Sequence, residues 1–305
     1  MFQVSKDKDH STVNSSITKV KNRTILHGDV LEKLKEIPDE SIDCVITSPP
    51  YWGLRDYGVD GQMGLEPDFF DYLSKLREIM RELKRIMKIT GTCWVNIADT
   101  YFQKKTGSEP AAGLHGEECD CATCKARGKV KIINPIKRVE YNSKCGIPSR
   151  FLVQCLDDGW ICRNDIIWYK PNSMPDSVRS KFPACYEPIF FLVKSNEYYC
   201  DTSKIEVKSK TKIFETKRQK DVFEIPIKRF EGFHMATFPE ELPLKIMSVC
   251  TKFGDLVLDP FFGSGTVGEC AEKMGLRWIG IELNQDYIDF AKKRLYPYMN
   301  ERLQN

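Results

Sequence analysis

Residues 47–51 read Thr-Ser-Pro-Pro-Tyr and close an apolar run, IDCVIT, that suits a buried strand. Prolines cannot continue a central strand, so the chain must leave the sheet at Pro49 and Pro50. Their rings stiffen the loop and remove two backbone N–H donors, which leaves carbonyl acceptors pointing outward. Ser48 adds a hydroxyl acceptor and Tyr51 an aromatic face. An exocyclic amine on a base carries two hydrogens, and Ser48 with the Pro49 carbonyl could accept both. Held in that way, the nitrogen aims its lone pair at an incoming electrophile. Tyr51 could stack on an unpaired base, and reaching such an amine in a duplex requires flipping the base out of the stack. The plainer alternative is a proline-rich strand cap with a packing tyrosine.

A second segment, DPFFGSGTVG at 259–268, places Gly263, Gly265 and Gly268 in a G-x-G-x-x-G spacing between strand-like and helix-like residues. Such glycines permit a tight turn and close approach of a ligand to the backbone. Glu282 ends the next strand, and a carboxylate there can accept from both hydroxyls of a ribose. No Gly-Lys-[Ser/Thr] follows, which disfavours a P-loop nucleotide. A dinucleotide fits. So does an adenosyl cofactor without phosphates, with Phe261-Phe262 packed against it and Asp259 facing its cationic amino-acid end. A nicotinamide-dependent oxidoreductase would use the glycine loop but leave residues 47–51 without a role.

These segments need strands and helices to position them. Residues 24–27, 42–47, 92–97, 161–169, 187–193, 255–259 and 277–282 read as strands. Helical spacing marks 30–37, 67–88, 148–157, 240–252 and 285–295, with a further helix from the glycine loop to 274 and Gly91 as the stop of the second. This alternation predicts an α/β fold, a mostly parallel sheet with helices on both faces. Residues 1–20 read as a disordered tail and 21–305 as one domain. Within it, 102–146 reads as an irregular inserted lobe and 196–233 as a basic, weakly patterned segment.

Composition restricts the partners. The net charge of +3 over 305 residues does not itself argue for nucleic acid. The run 204–220 carries seven basic and two acidic residues; such a run is more often a solvated face, and beside a cleft it offers phosphate contacts. Lys208, Lys210, Lys212, Lys217 and Arg218 are its candidate phosphate contacts. There is no apolar run long enough to span a membrane and no signal-type leader, so the twelve cysteines point to a reducing, cytoplasmic setting. Cys119, Cys121 and Cys124, with Cys145 downstream, suggest half of a zinc knuckle, and the alternative is a loop with reduced thiols. A DNA-binding protein without catalysis would explain the basic run but not the carboxylates at strand ends.

The ordered set HGD (27–29), TSPPY (47–51), IIWYKPNSMP (166–175), YEPIFFLVKS (186–195), HMATFPEEL (234–242), DPFFGSGTVG and IGIELN (279–284) closely resembles the N4-cytosine/N6-adenine DNA methyltransferases of bacteria and phages, in their circularly permuted β-type order. The resemblance implies a seven-stranded Rossmann-like methyltransferase sheet and S-adenosylmethionine as cofactor. It implies that Ser48, Pro49, Pro50 and Tyr51 form the catalytic loop. Asp29 would bind the adenine amine of the cofactor, Glu282 its ribose, and Phe238 and Pro239 its methionine end, with Asp259, Phe261, Gly263 and Gly265 in the same site. Residues 196–233 occupy the usual position of target recognition, a short segment for that task that residues 102–146 could share. Double-stranded DNA is the implied substrate, and a restriction endonuclease for the same site an expected partner. A serine before the two prolines leans towards N4 of cytosine, with N6 of adenine the alternative. The chain has no Pro-Cys dipeptide, which disfavours thiolate attack on a cytosine ring.

Overall fold

The computed structural model describes residues 22–102, 139–140, 142–175, 178–208, 216–228 and 238–301. The strands are β1 (Thr24–His27), β2 (Ile42–Thr47), β3 (Met87–Asn96), β4 (Ile161–Tyr169), β5 (Tyr186–Val193), β6 (Glu206–Lys208), β7 (Thr216–Arg218), β8 (Val222–Glu224), β9 (Leu256–Asp259) and β10 (Arg277–Glu282). The helices are α1 (Val30–Lys35), α2 (Phe69–Ile86), α3 (Ile147–Asp157), α4 (Glu241–Cys250), α5 (Thr266–Lys273) and α6 (Gln285–Glu301). Eight strands form one sheet in the order β1-β10-β9-β2-β3-β5-β4-β8, and β6 and β7 form a separate ribbon. Within the large sheet, β5 runs against its neighbours β3 and β4, and the other pairs are parallel.

The two-residue period of the strands sends alternate side chains to opposite faces. Leu256 and Leu258 of β9 join one core layer with α1, α2 and α3, and Val257 joins the other with α4, α5 and α6. In β5, Phe190 and Leu192 face the first layer, and Ile189, Phe191 and Val193 the second. Burial on both faces explains why these strands read as unbroken apolar runs.

β9 and β2 are neighbours in the middle of the sheet. From β9 the chain winds outward to β10, and from β2 it winds the other way to β3. The crevice at their carboxyl ends is therefore a topological switch point, where open α/β sheets bind ligands. Both motif loops leave the sheet there.

The structure departs from the sequence expectations in four places. The sheet has eight strands, not seven, because β8 pairs with β4 and covers its edge. Phe223 and Ile225 are buried there, and the Trp168 indole donates to the Ile225 carbonyl at 2.8 Å, so part of the 196–233 segment is sheet and core. Gly91 does not stop α2. The helix ends at Ile86, β3 follows at once, and Gly91 lies inside β3, where a Cβ would stand 3.1 Å from the Ile42 and Asp43 carbonyls. The glycine permits close approach at the register shift between β2 and β3. Finally, α6 runs on to Glu301 with Pro297 inside it.

The ends of the 102–146 segment meet. Phe102 N–H donates to the Ser143 carbonyl at 2.8 Å and Cys145 N–H to the Thr100 carbonyl at 2.9 Å. Asp99 accepts from the N–H groups of Gly146 and Ile147 and so caps α3. No helix among the described residues is long and apolar enough to cross a membrane.

Candidate active site

The switch-point crevice opens into a cleft of about 860 Å³, counting its open mouth. Of the residues singled out from the sequence, Asp29, Ser48, Pro50, Phe261, Gly263 and Glu282 line it. Asp29 follows β1 and caps α1, its Oδ1 accepting from Leu31 N–H at 2.9 Å and Glu32 N–H at 3.2 Å. Glu282 ends β10. Its Oε2 accepts from Gly263 N–H at 2.7 Å and its Oε1 from Asn284 N–H at 2.8 Å. Burial pushes this carboxyl above its ordinary range, and the two N–H groups with the backbone at Leu283 oppose the rise.

Asp259 lies beneath the cleft, 3% exposed. Its Oδ1 accepts from Thr47 Oγ1 at 2.9 Å and from Phe261 N–H at 3.0 Å, so one carboxyl ties the Ser48 loop to the glycine loop. Burial pushes Asp259 up to about 7, and the nearby Glu282 adds to the rise.

The glycine loop divides its two phenylalanines. Phe261 faces the cleft, but Phe262 is buried and stacks on Trp278 with ring centroids 5.2 Å apart. Gly268 and Gly280 make room for that ring: a Cβ at either would stand within 2.6 Å of it. Only Phe261 is therefore placed for a ligand. Gly265 takes a left-handed conformation, φ 81°, and starts α5 close against Ala291.

The residues of the 47–51 loop occupy distinct positions. Pro49 is buried. Ser48 faces the cleft and sits 3.2 Å from the Tyr51 hydroxyl, which turns inward to Asn96 Oδ1 at 3.0 Å and Glu187 Oε2 at 2.7 Å. Burial, then the charge of Glu187, pushes the Tyr51 phenol well above its usual range. Glu187 also pairs with Lys170, whose ammonium lies 4.2 Å over the Trp168 ring. Trp52 anchors the loop: it is buried and donates to the Glu66 carbonyl at 2.9 Å. Its own carbonyl accepts from Thr100 Oγ1 at 2.8 Å.

Several residues fall elsewhere. Phe238 packs on the second core layer and Pro239 is buried before α4, and neither lines the cleft. Lys217 and Arg218 are exposed on the β6–β7 ribbon, whose first strand ends at Lys208. Lys210, Lys212, Cys119, Cys121 and Cys124 lie outside the described residues. Cys145 is fully buried in the core, and burial pushes its thiol up to about 12. No group of three or more metal-ligating side chains occurs among the described residues.

One wall of the cleft belongs to no sequence motif: it is formed by Tyr57, Val59, Gly61, Gln62 and Met63, with Tyr287 and Asn284 against Tyr57. Asn284 Nδ2 donates to the Tyr57 carbonyl at 3.1 Å, and the Tyr57 and Tyr287 rings meet edge to face. The available signal was two tyrosines, each within six residues of a motif.

The chain belongs to the N6/N4 DNA methylase family, whose model matches residues 42–293. It is thus a DNA methyltransferase. The type II methyltransferase M.Cfr9I of Citrobacter freundii is 40% identical over 272 residues, 89% of this chain and 87% of that protein. M.SmaI of Serratia marcescens is 36% identical over 89% of this chain and 90% of its own. Among solved structures, the cytosine-N4-specific PvuII DNA methyltransferase aligns with a TM-score of 0.63 and 19% identity, over 93% of both chains. A DNA modification methylase from Thermus thermophilus, TTHA0409, complexed with S-adenosyl-L-methionine, aligns with a TM-score of 0.60 and 23% identity, over 90% of this chain and 94% of that one. Both share the fold.

Proposed function

We propose that this protein transfers a methyl group from S-adenosylmethionine to the exocyclic N4 amine of cytosine in double-stranded DNA, as the modification partner of a restriction endonuclease that reads the same site. The observation that carries this reading is Ser48 facing the cleft with Tyr51 behind it. A hydroxyl so placed is an acceptor for one amine hydrogen, and the Pro49 carbonyl is proposed for the other.

The donor set of the cleft fits the cofactor. Glu282 is held by two backbone N–H groups and keeps acceptor capacity for two ribose hydroxyls. Asp29 lies at the rim for an adenine amine, and Tyr57, Phe261 and Tyr287 supply apolar faces for its ring. Asp259 is a buried carboxyl with no cation beside it among the described residues, and a positively charged ligand would restore its ionised form. When bound, the cofactor supplies an electrophilic methyl group. Held by Ser48 and the Pro49 carbonyl, the amine would present its lone pair to that methyl group, the C–S electron pair would remain on sulfur, and the nitrogen would release a proton to water. No covalent link to the protein is needed, because the positioned amine is the nucleophile. Lys208, Lys210, Lys212, Lys217 and Arg218 are proposed as phosphate contacts, and Cys119, Cys121, Cys124 and Cys145 remain the candidate zinc ligands.

Nucleoside mass spectrometry tests the reading directly. Unmethylated DNA incubated with the protein and S-adenosylmethionine should yield N4-methylcytosine, and Ser48→Ala should reduce the yield about 10-fold or more through the lost hydrogen bond. N6-methyladenine instead would keep the site and cofactor but remove the link between Ser48 and cytosine.

A further inference from the structure

We propose that Glu187 is a positioning residue for methyl transfer: through the Tyr51 hydroxyl it holds Ser48 as a hydrogen-bond acceptor and lends negative charge to it. The inference rests on the proposed role of Ser48 but not on which base is methylated.

The Tyr51 hydroxyl has three polar neighbours, Glu187 Oε2 at 2.7 Å, Asn96 Oδ1 at 3.0 Å and Ser48 Oγ at 3.2 Å. It has one proton to give. Two of the neighbours can only accept. The Asn96 amide is oriented by its Nδ2, which donates to the Pro188 carbonyl at 3.2 Å and leaves Oδ1 towards Tyr51. Glu187 forms an ion pair with Lys170 through its other oxygen, and a carboxylate has no proton to offer Tyr51. The tyrosyl proton therefore goes to one of these two, and the shorter, charge-assisted partner is Glu187. The bond between Ser48 and Tyr51 must then run from serine to tyrosine. That commits the only Ser48 side-chain proton away from the cleft and leaves its lone pairs for an amine N–H.

The polarity matters most during the reaction. As the N–C bond forms, the amine nitrogen gains positive charge and its N–H groups become stronger donors. An acceptor backed by a carboxylate two hydrogen bonds away gains more in that state than with the neutral base. Glu187 should therefore affect the rate of methyl transfer and not the binding of cofactor or DNA. A mere brace at the start of β5 would act differently: its loss would lower stability and affinity together.

Glu187→Gln keeps the shape and removes the charge, and Tyr51→Phe keeps the aromatic face and removes the link. Single-turnover methylation of DNA should slow about 10-fold in E187Q, the scale of one charge-assisted hydrogen bond, with unchanged affinity for S-adenosylmethionine and DNA. Y51F should slow it by at least as much. The double variant should be no slower than Y51F, because Glu187 then has no path to Ser48. Full activity in E187Q, a loss that appears in affinity for S-adenosylmethionine or DNA instead of in the rate, or an E187Q effect that persists in the Y51F background would each overturn the inference. Should E187Q not fold, Glu187→Asp draws the carboxylate back from Tyr51 and permits the same three comparisons. A wild-type protein that methylates no DNA would overturn the functional reading beneath it as well.

Discussion

Asp259 joins the chemistry of the site to the stability of the protein. Its carboxyl titrates near 7 because it is buried, and its unfolded value lies near 3.8. Between those values the folded state holds a proton that the unfolded chain releases. Its contribution should thus make stability fall as pH rises from about 4 to about 7, and level off above. The ceiling of this effect is on the order of 4–5 kcal/mol, from roughly 1.4 kcal/mol per pH unit. Urea unfolding across that range should show the slope in the wild type and a reduced slope in Asp259→Asn. A bound cofactor's positive charge should reverse the penalty. Calorimetry near pH 6.5 in buffers of different ionisation enthalpy should then show proton release on S-adenosylmethionine binding, and less release in Asp259→Asn. Equal release in both would place the titrating group elsewhere. Residues of this kind were partly legible in the sequence. Ser48, Phe261, Gly263 and Glu282 announced themselves because each motif is contiguous. Asn96 and Glu187 did not, because they reach Tyr51 from β3 and β5, 45 and 136 positions away in the chain.

The same distinction operates among elements. Strands buried on both faces, such as β2, β9 and β10, were readable because each is one apolar run between turn signals. β6, β7 and β8 have three residues each, too few for a period, and only their pairing defines them. The glycine motif was found by spacing, yet its last glycine serves packing. Gly268 and Gly280 hold the Phe262 ring against Trp278 and so fix the loop whose next residue back, Phe261, faces the cleft. A Gly280 Cβ would lie 2.3 Å from that ring, which already stacks on Trp278 and lies close against Gly268. Gly280→Ala should therefore destabilise the protein by about 2 kcal/mol, the usual scale of overpacking. It should also weaken cofactor binding. Phe262→Leu in the same chain should restore part of the lost stability. A denaturation midpoint unchanged in Gly280→Ala would show that α5 and β10 can separate freely, contrary to their close packing.

At the scale of the whole molecule, charge must bring a duplex to the cleft, and the net of +3 is too small to do so unaided. The arrangement supplies a local source. Lys217 and Arg218 are exposed on a two-stranded ribbon that leads through residues 219–221 into β8, at the far edge of the sheet from β1. β8 pairs with β4, with β5 beyond it, so the ribbon enters the half of the sheet that carries Lys170 and Glu187, from the amino end of β8. Phosphate contacts there would hold DNA without reading its sequence, each releasing roughly 0.9 counterion. Lys217→Ala with Arg218→Ala should weaken binding to matched and unmatched duplexes by similar factors. It should also reduce the slope of log Kd against log salt by roughly 2, one unit for each lost contact. The rate of methyl transfer at saturating DNA should not change, because neither residue lines the cleft. If the slope stays as in the wild type, the ribbon does not touch the backbone, and steering must come from basic residues elsewhere in the chain. If affinity falls only for the matched sequence, the ribbon reads bases and belongs to target recognition. The salt titration separates these roles because counterion release counts phosphates and is indifferent to sequence.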